Sequence, residues 1–103
     1  MKYIVDIDNT ICPQSTSSDY TDAVPWLEHI AVINKLYEEG HEIHYWTSRG
    51  SRTGKDWSEF TKQQLSDWGC KFSSVSCGKP HYDVWIDDKS DWPFKKERGL
   101  FEL

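Results

Sequence analysis

The stretch Ile4-Val5-Asp6-Ile7-Asp8-Asn9-Thr10 decides the fold of this chain. Its β-branched apolar residues suit a buried strand, and the Asp/Asn/Thr cluster marks the turn where that strand ends. Open α/β sheets gather their ligands at the carboxyl ends of their strands, which is where Asp6 and Asp8 fall. Two like charges held 4 Å apart repel by roughly 4 kcal/mol at an effective dielectric near 20. The pair therefore calls for a cation beside it.

Outward from that strand, helix and strand alternate. Gln14 to Asp22 is polar and reads as loop. Pro25 opens a helix whose apolar face is Leu27, Ile30, Ile33, Leu36 and Tyr37, and Gly40 closes it. Glu42 to Trp46 is a second strand, running into Thr47-Ser48-Arg49-Gly50. Asp56 begins a second helix with Trp57, Phe60, Leu65 and Trp68 on its apolar face and Gly69 as its stop. Phe72 to Val75 reads as a third strand and Val84-Trp85-Ile86 as a fourth, which ends in Asp87-Asp88. Such spacing implies right-handed βαβ crossovers and a mainly parallel sheet. The tail beyond Asp91, with Trp92, Phe94, Leu100 and Phe101, is expected to pack onto the domain or onto a second copy.

At 103 residues the chain is a single domain, 1–103, large enough for a core without staples. A net charge of −5, from 12 basic and 17 acidic residues, argues against general nucleic-acid binding. Cys12, Cys70 and Cys77 form no Cys-x-x-Cys pair and read as reduced thiols of a cytoplasmic protein. No stretch has the length of a membrane span, and Asp6 and Asp8 interrupt the one apolar run near the start. The four histidines lack metal-ligand spacing, and most of the six tryptophans read as packing.

Three strand ends carry chemistry. Asp6 and Asp8, Thr47, and Asp87 with Asp88 would meet on one sheet edge. Carboxylates from two strands with a backbone carbonyl and water suit Mg²⁺. Thr47 offers a hydroxyl and an N–H to a phosphate oxygen, and Lys79 offers a fixed positive charge. Arg49, Arg52 and Lys55 read either as a positive collar for an anionic substrate or as solvated loop charges. Metal, hydroxyl, ammonium and nucleophilic carboxylate together suit phosphoryl transfer through an aspartyl-phosphate.

Asp6-Ile7-Asp8-Asn9-Thr10 resembles the Asp-x-Asp-x-Thr signature of the haloacid dehalogenase (HAD) superfamily. Thr47, Lys79 and Ile86-Asp87-Asp88 follow in the order of that family's remaining motifs. Ala23-Val24-Pro25, Thr47-Ser48-Arg49-Gly50, Gln64-Leu65 with Trp68-Gly69, and Gly78-Lys79-Pro80 are similar to small phosphatase-like proteins of bacterial capsule and surface-polysaccharide biosynthesis. The resemblance implies a three-layer, Rossmann-like HAD core with strand order 3-2-1-4 and no large cap domain. It implies a Mg²⁺-dependent phosphoric monoester hydrolase acting on a phosphorylated small molecule, a sugar phosphate or related metabolite. Asp6 would be the nucleophile and Asp8 the acid and base. Thr47, Ser48 and Lys79 would hold the phosphoryl group, and the Asp6 carboxylate, the Asp8 backbone carbonyl and Asp87 the metal. Asp88 or Asp91 would add an acid near the metal, and Asn9 stands where the family more often has Gly. The competing readings are a nucleic-acid 3′-phosphatase and a catalytically idle binding module. Homo-oligomerisation stays open.

Overall fold

In the computed structural model, which describes residues 1–14 and 19–94, three parallel strands form a sheet in the order β1-β2-β3. They are β1 (Lys2–Val5), β2 (Glu42–Trp46) and β3 (Ser74–Ser76), with α1 (Leu27–Glu38) and α2 (Ser58–Asp67) in the two crossovers. Tyr3 pairs with Ile43 and Val5 with Tyr45, while Tyr45 pairs with Val75. The expectation for the tail beyond Phe94 lies outside the described residues.

Period-two alternation sorts the two faces of the sheet. Val5, Ile43 and Tyr45 are buried, with Tyr3 and Val75 packed beside them. Two crossovers stepping the same way along a parallel sheet put both helices on one face when each is right-handed. Accordingly α1 packs on β2 and α2 on β3, over that buried face. The other face, with Ile4 59% exposed, carries no helix among the described residues.

Helix ends follow local chemistry. Pro25 precedes Trp26, whose extended backbone starts α1, and Gly40 at φ 99° ends it with His41 N–H donating to the Leu36 carbonyl. Ile30 and Ile33 are buried as expected, but Leu27 and Tyr37 are exposed, and His29 takes the inward place. His29 Nδ1 lies 2.7 Å from the Thr10 carbonyl oxygen, and its ring stacks on Phe94. Trp57, just before α2, is buried together with Thr61, Gln64 and Leu65 of the helix. Those two polar residues face inward because a buried guanidinium needs acceptors there.

The expected fourth strand is a correction. Val84-Trp85-Ile86 pairs with nothing in the sheet, and Val84 and Ile86 are 74% and 93% exposed. Three apolar residues between Asp83 and Asp87 offer little to bury, and local partners win. Trp85 Nε1 donates to Asp87 Oδ2 at 3.3 Å, Lys89 N–H donates to Asp87 Oδ1, and the Trp85 ring meets Trp46 edge-on. The third strand also sits one to two residues later than Phe72–Val75.

Candidate functional site

The first strand leaves the sheet at Val5 and runs into a tight turn. Thr10 and Ile11 N–H both donate to the Ile7 carbonyl, and Asn9 sits at φ 66°, a left-handed position that Asn tolerates. This turn aims Asp6 and Asp8 into a cleft of about 890 Å³ that Ser48, Tyr82 and Trp85 also line.

Asp8 is the most firmly held group in the cleft. Arg49 Nε donates to its Oδ2 and Nη2 to its Oδ1, both at 3.0 Å, in a two-pronged fork. The Arg49 side chain is fully buried, so its charge requires partners on every side. Its Nη1 donates to Gln64 Oε1 at 2.8 Å and to Thr61 Oγ1 at 3.3 Å. The Tyr20 ring covers it at 4.4 Å, and Gln64 Nε2 donates to the Tyr20 carbonyl. The Cys12 thiol, pushed up to about 12 chiefly by burial, stays protonated and points at Asp8 Oδ1 at 3.5 Å. Oδ1 thus has two donors and Oδ2 one.

Asp6 faces a softer environment. Lys79 Nζ lies 3.7 Å from its Oδ1. Burial pushes the Asp6 carboxyl above its ordinary value, with Lys79 opposing that shift and Asp8 adding to it. The Lys79 ammonium donates to the Tyr82 hydroxyl at 3.2 Å and sits 5.0 Å from the Tyr82 ring and 5.3 Å from the Trp85 ring. Lys79 N–H also donates to the Thr47 carbonyl, which ties its stretch of chain to the end of β2.

Thr47 is buried and inward. Its N–H donates to the Ser76 carbonyl and its Oγ1 accepts from Arg49 N–H, so it braces the loop, while Ser48 reaches the cleft. Gly50 follows at φ 84°, where a Cβ would run into the Lys55 carbonyl oxygen. This turn fixes the direction from which Arg49 enters. Of the suggested collar, Arg49 is therefore an internal clamp, whereas Arg52 and Lys55 are exposed.

The structure brings together Asp6, Asp8, Asn9, Ser48, Arg49 and Lys79, with Thr47 behind them. It does not bring Asp87 or Asp88, which are exposed and outside the cleft lining; Asp91 lines it. Arg49 as the partner of Asp8, with Thr61 and Gln64 behind it, was not legible as such. The signal was a polar Thr61/Gln64 pair beside Leu65 on a helix face otherwise expected to be apolar.

Magnesium is the ion that the resemblance implies, and the donors as they stand do not fit it. Of the expected donors, the Asp6 carboxylate faces the cleft, but Asp87 is exposed, outside the cleft lining and turned to Trp85 and the Lys89 N–H, and the Asp8 carboxylate is taken by Arg49, which leaves Asp8 only its backbone carbonyl. No group of three His, Cys, Asp or Glu side chains converges among the described residues. The two cations already present, Lys79 and Arg49, answer the repulsion between Asp6 and Asp8.

No helix among the described residues is long and apolar enough to cross a membrane. No family model matches the chain, and no curated protein matches it. The crystal structure of an MCSG target from Vibrio cholerae is similar, with a TM-score of 0.79 and 27% sequence identity. The match covers 99% of this chain and 89% of that one, so the two share a small α/β fold over nearly their whole lengths.

Proposed function

We propose that the chain is a phosphomonoester hydrolase of the HAD type, acting on a small phosphorylated metabolite. The observation that carries this reading is the pairing of a free-edged carboxylate with a clamped one. Asp6 opens on the cleft with an ammonium 3.7 Å away, and Asp8 is locked beside it by Arg49. A nucleophile needs freedom to move onto phosphorus, and an acid–base group needs a fixed direction.

In this reading an Asp6 oxygen bonds to phosphorus as the ester P–O bond breaks. The leaving oxygen takes its proton from Asp8. Asp8 then takes a proton from water as that water displaces Asp6 from phosphorus, which restores both carboxyl groups. Asp8 enters the cycle protonated, and Oδ2 is the atom suited to carry that proton, since it accepts one bond, from Arg49 Nε, whereas Oδ1 accepts from both Arg49 and Cys12. Lys79 offsets charge that builds on the phosphoryl oxygens. Mg²⁺ belongs to the proposal through the sequence resemblance alone, and no step above is routed through it.

One competing reading has an observation in its favour. The Arg49 fork and the outlying Asp87 suit a module that binds phosphate without turning it over. Release of phosphate from an aryl phosphate, with and without Mg²⁺, separates the two. Turnover by the wild type that Asp6→Asn abolishes is the expected result. No turnover above the Asp6→Asn background under either condition overturns the hydrolase reading.

A further inference from the structure

The cleft walls differ in chemistry from the Asp6–Asp8 floor. Tyr82 and Trp85 stand on one wall, 38% and 45% exposed although large and aromatic. Trp85 is centred 5.3 Å from the Lys79 ammonium, which is 3.7 Å from Asp6, so one ammonium neighbours both the indole ring and the reacting carboxylate. Asp83 and Asp91 line the cleft as well, and no Lys or Arg does so among the described residues. Lys79 and Arg49 are buried and already paired with Asp6 and Asp8.

These features point away from a second anion. A phosphoryl group at Asp6 finds Lys79, but a further phosphate or carboxylate on the leaving group would meet Asp83 and Asp91, with His81 as the one basic side chain of the lining against those two acids. Carboxylates are instead good acceptors for hydroxyl groups, and exposed aromatic faces suit the C–H face of a ring or a flat base. We infer that the cleft selects monophosphate esters of a neutral, hydroxyl-bearing ring and rejects leaving groups that carry a second anion. The inference rests on the phosphomonoesterase reading and adds the class of leaving group, with Trp85 as the specificity-determining side chain. A sugar ring and a nucleoside share this chemistry, and the experiment below tells them apart.

Binding to the Asp6→Asn protein, which cannot form the phosphoenzyme, is measured by calorimetry in Mg²⁺-containing buffer. The probes are inorganic phosphate, a hexose monophosphate, a hexose bisphosphate, a nucleoside monophosphate and a nucleoside diphosphate. At least one monophosphate ester should bind tenfold or more tighter than inorganic phosphate, and its doubly anionic counterpart should lose that advantage. Whichever of the hexose and nucleoside esters gains most names the ring. Adding Trp85→Ala should bring the ratio of ester to inorganic phosphate affinity close to one. Esters no tighter than inorganic phosphate, bisphosphates as tight as monophosphates, or an unchanged ratio in Trp85→Ala each overturn the inference while leaving the phosphate site intact. Failure of inorganic phosphate and all esters to bind overturns the phosphatase reading, and the inference with it.

Discussion

The floor of the cleft and its wall are built on opposite principles. The floor, from Val5 to Asp8 and from Thr47 to Gly50, grows out of paired strands and is fixed by register. Asp8 and Arg49, 41 residues apart in sequence, meet because Val5 and Tyr45 are partners across β1 and β2. The wall, from His81 to Asp91, has no ladder; side-chain contacts among Tyr82, Trp85, Trp46 and Lys79 hold it. In the proposed reading, chemistry that needs a set direction lies on the floor, and contacts that need only shape lie on the wall. Backbone pairing gives precision, and aromatic contact gives adaptable surface.

Arg49→Ala attacks the floor hardest. It leaves the Asp8 carboxylate, Thr61 and Gln64 without their donor, and removing one partner of a buried ion pair costs about 3–5 kcal/mol. Urea unfolding should show that loss, whereas Arg52→Ala in the neighbouring exposed loop should stay within about 0.5 kcal/mol. Equal effects would mean that the fork contributes nothing.

A second pair of variants compares floor and wall directly. Ile7 is fully buried and Ile86 is 93% exposed, although both flank an aspartate in similar apolar runs. Ile7→Ala should cost about 2–5 kcal/mol, and Ile86→Ala about 0.5 kcal/mol or less. A large cost at Ile86 would show that 84–86 belongs to the sheet as a fourth strand and that Asp87 stands nearer the floor. Gly50→Ala comes next. A left-handed backbone and the Lys55 carbonyl both resist a Cβ, so a loss of about 1–3 kcal/mol in denaturant unfolding is expected, with reduced turnover as Arg49 shifts.

The smallest effect concerns pH. The Asp6 carboxyl is held above its ordinary value of 3.8, so the folded chain binds more protons than the unfolded one just above that pH. Stability contributed by this group is therefore present below 3.8 and lost as pH rises through the folded value. Asp6→Asn removes the cost of ionising it and should raise Tm slightly at neutral pH, with the gain vanishing below 3.8. The Asp6 side chain is 33% exposed, so solvent screens the effect and the gain is small.

The floor was legible in the sequence for reasons its residues make plain. Ile4 and Val5 mark a strand by branching at Cβ, Pro25 and Gly40 bracket α1, and two aspartates after an apolar run have few structural uses. The Arg49 clamp was hidden because loop arginines are usually solvated, and no local pattern links Arg49 to Asp8. The wall misled for the opposite reason. Val84-Trp85-Ile86 has strand-forming residues, but β propensity describes how a residue fits a surface to be buried, and here Asp87 and Trp46 supplied nearer partners. Whether Thr47 touches phosphate directly was likewise beyond local reading, since its bonds run to Ser76 and Arg49.

The central claim is that Asp6 is the carboxylate that takes the phosphoryl group. Acid quenching of the protein during turnover of an aryl phosphate, followed by peptide mass spectrometry, tests it most directly. The account predicts a phosphate on Asp6 in the peptide that carries Asp6 and Asp8, absent from the Asp6→Asn protein. Turnover without any covalent phosphate at Asp6, or with phosphate trapped on another side chain, would contradict it.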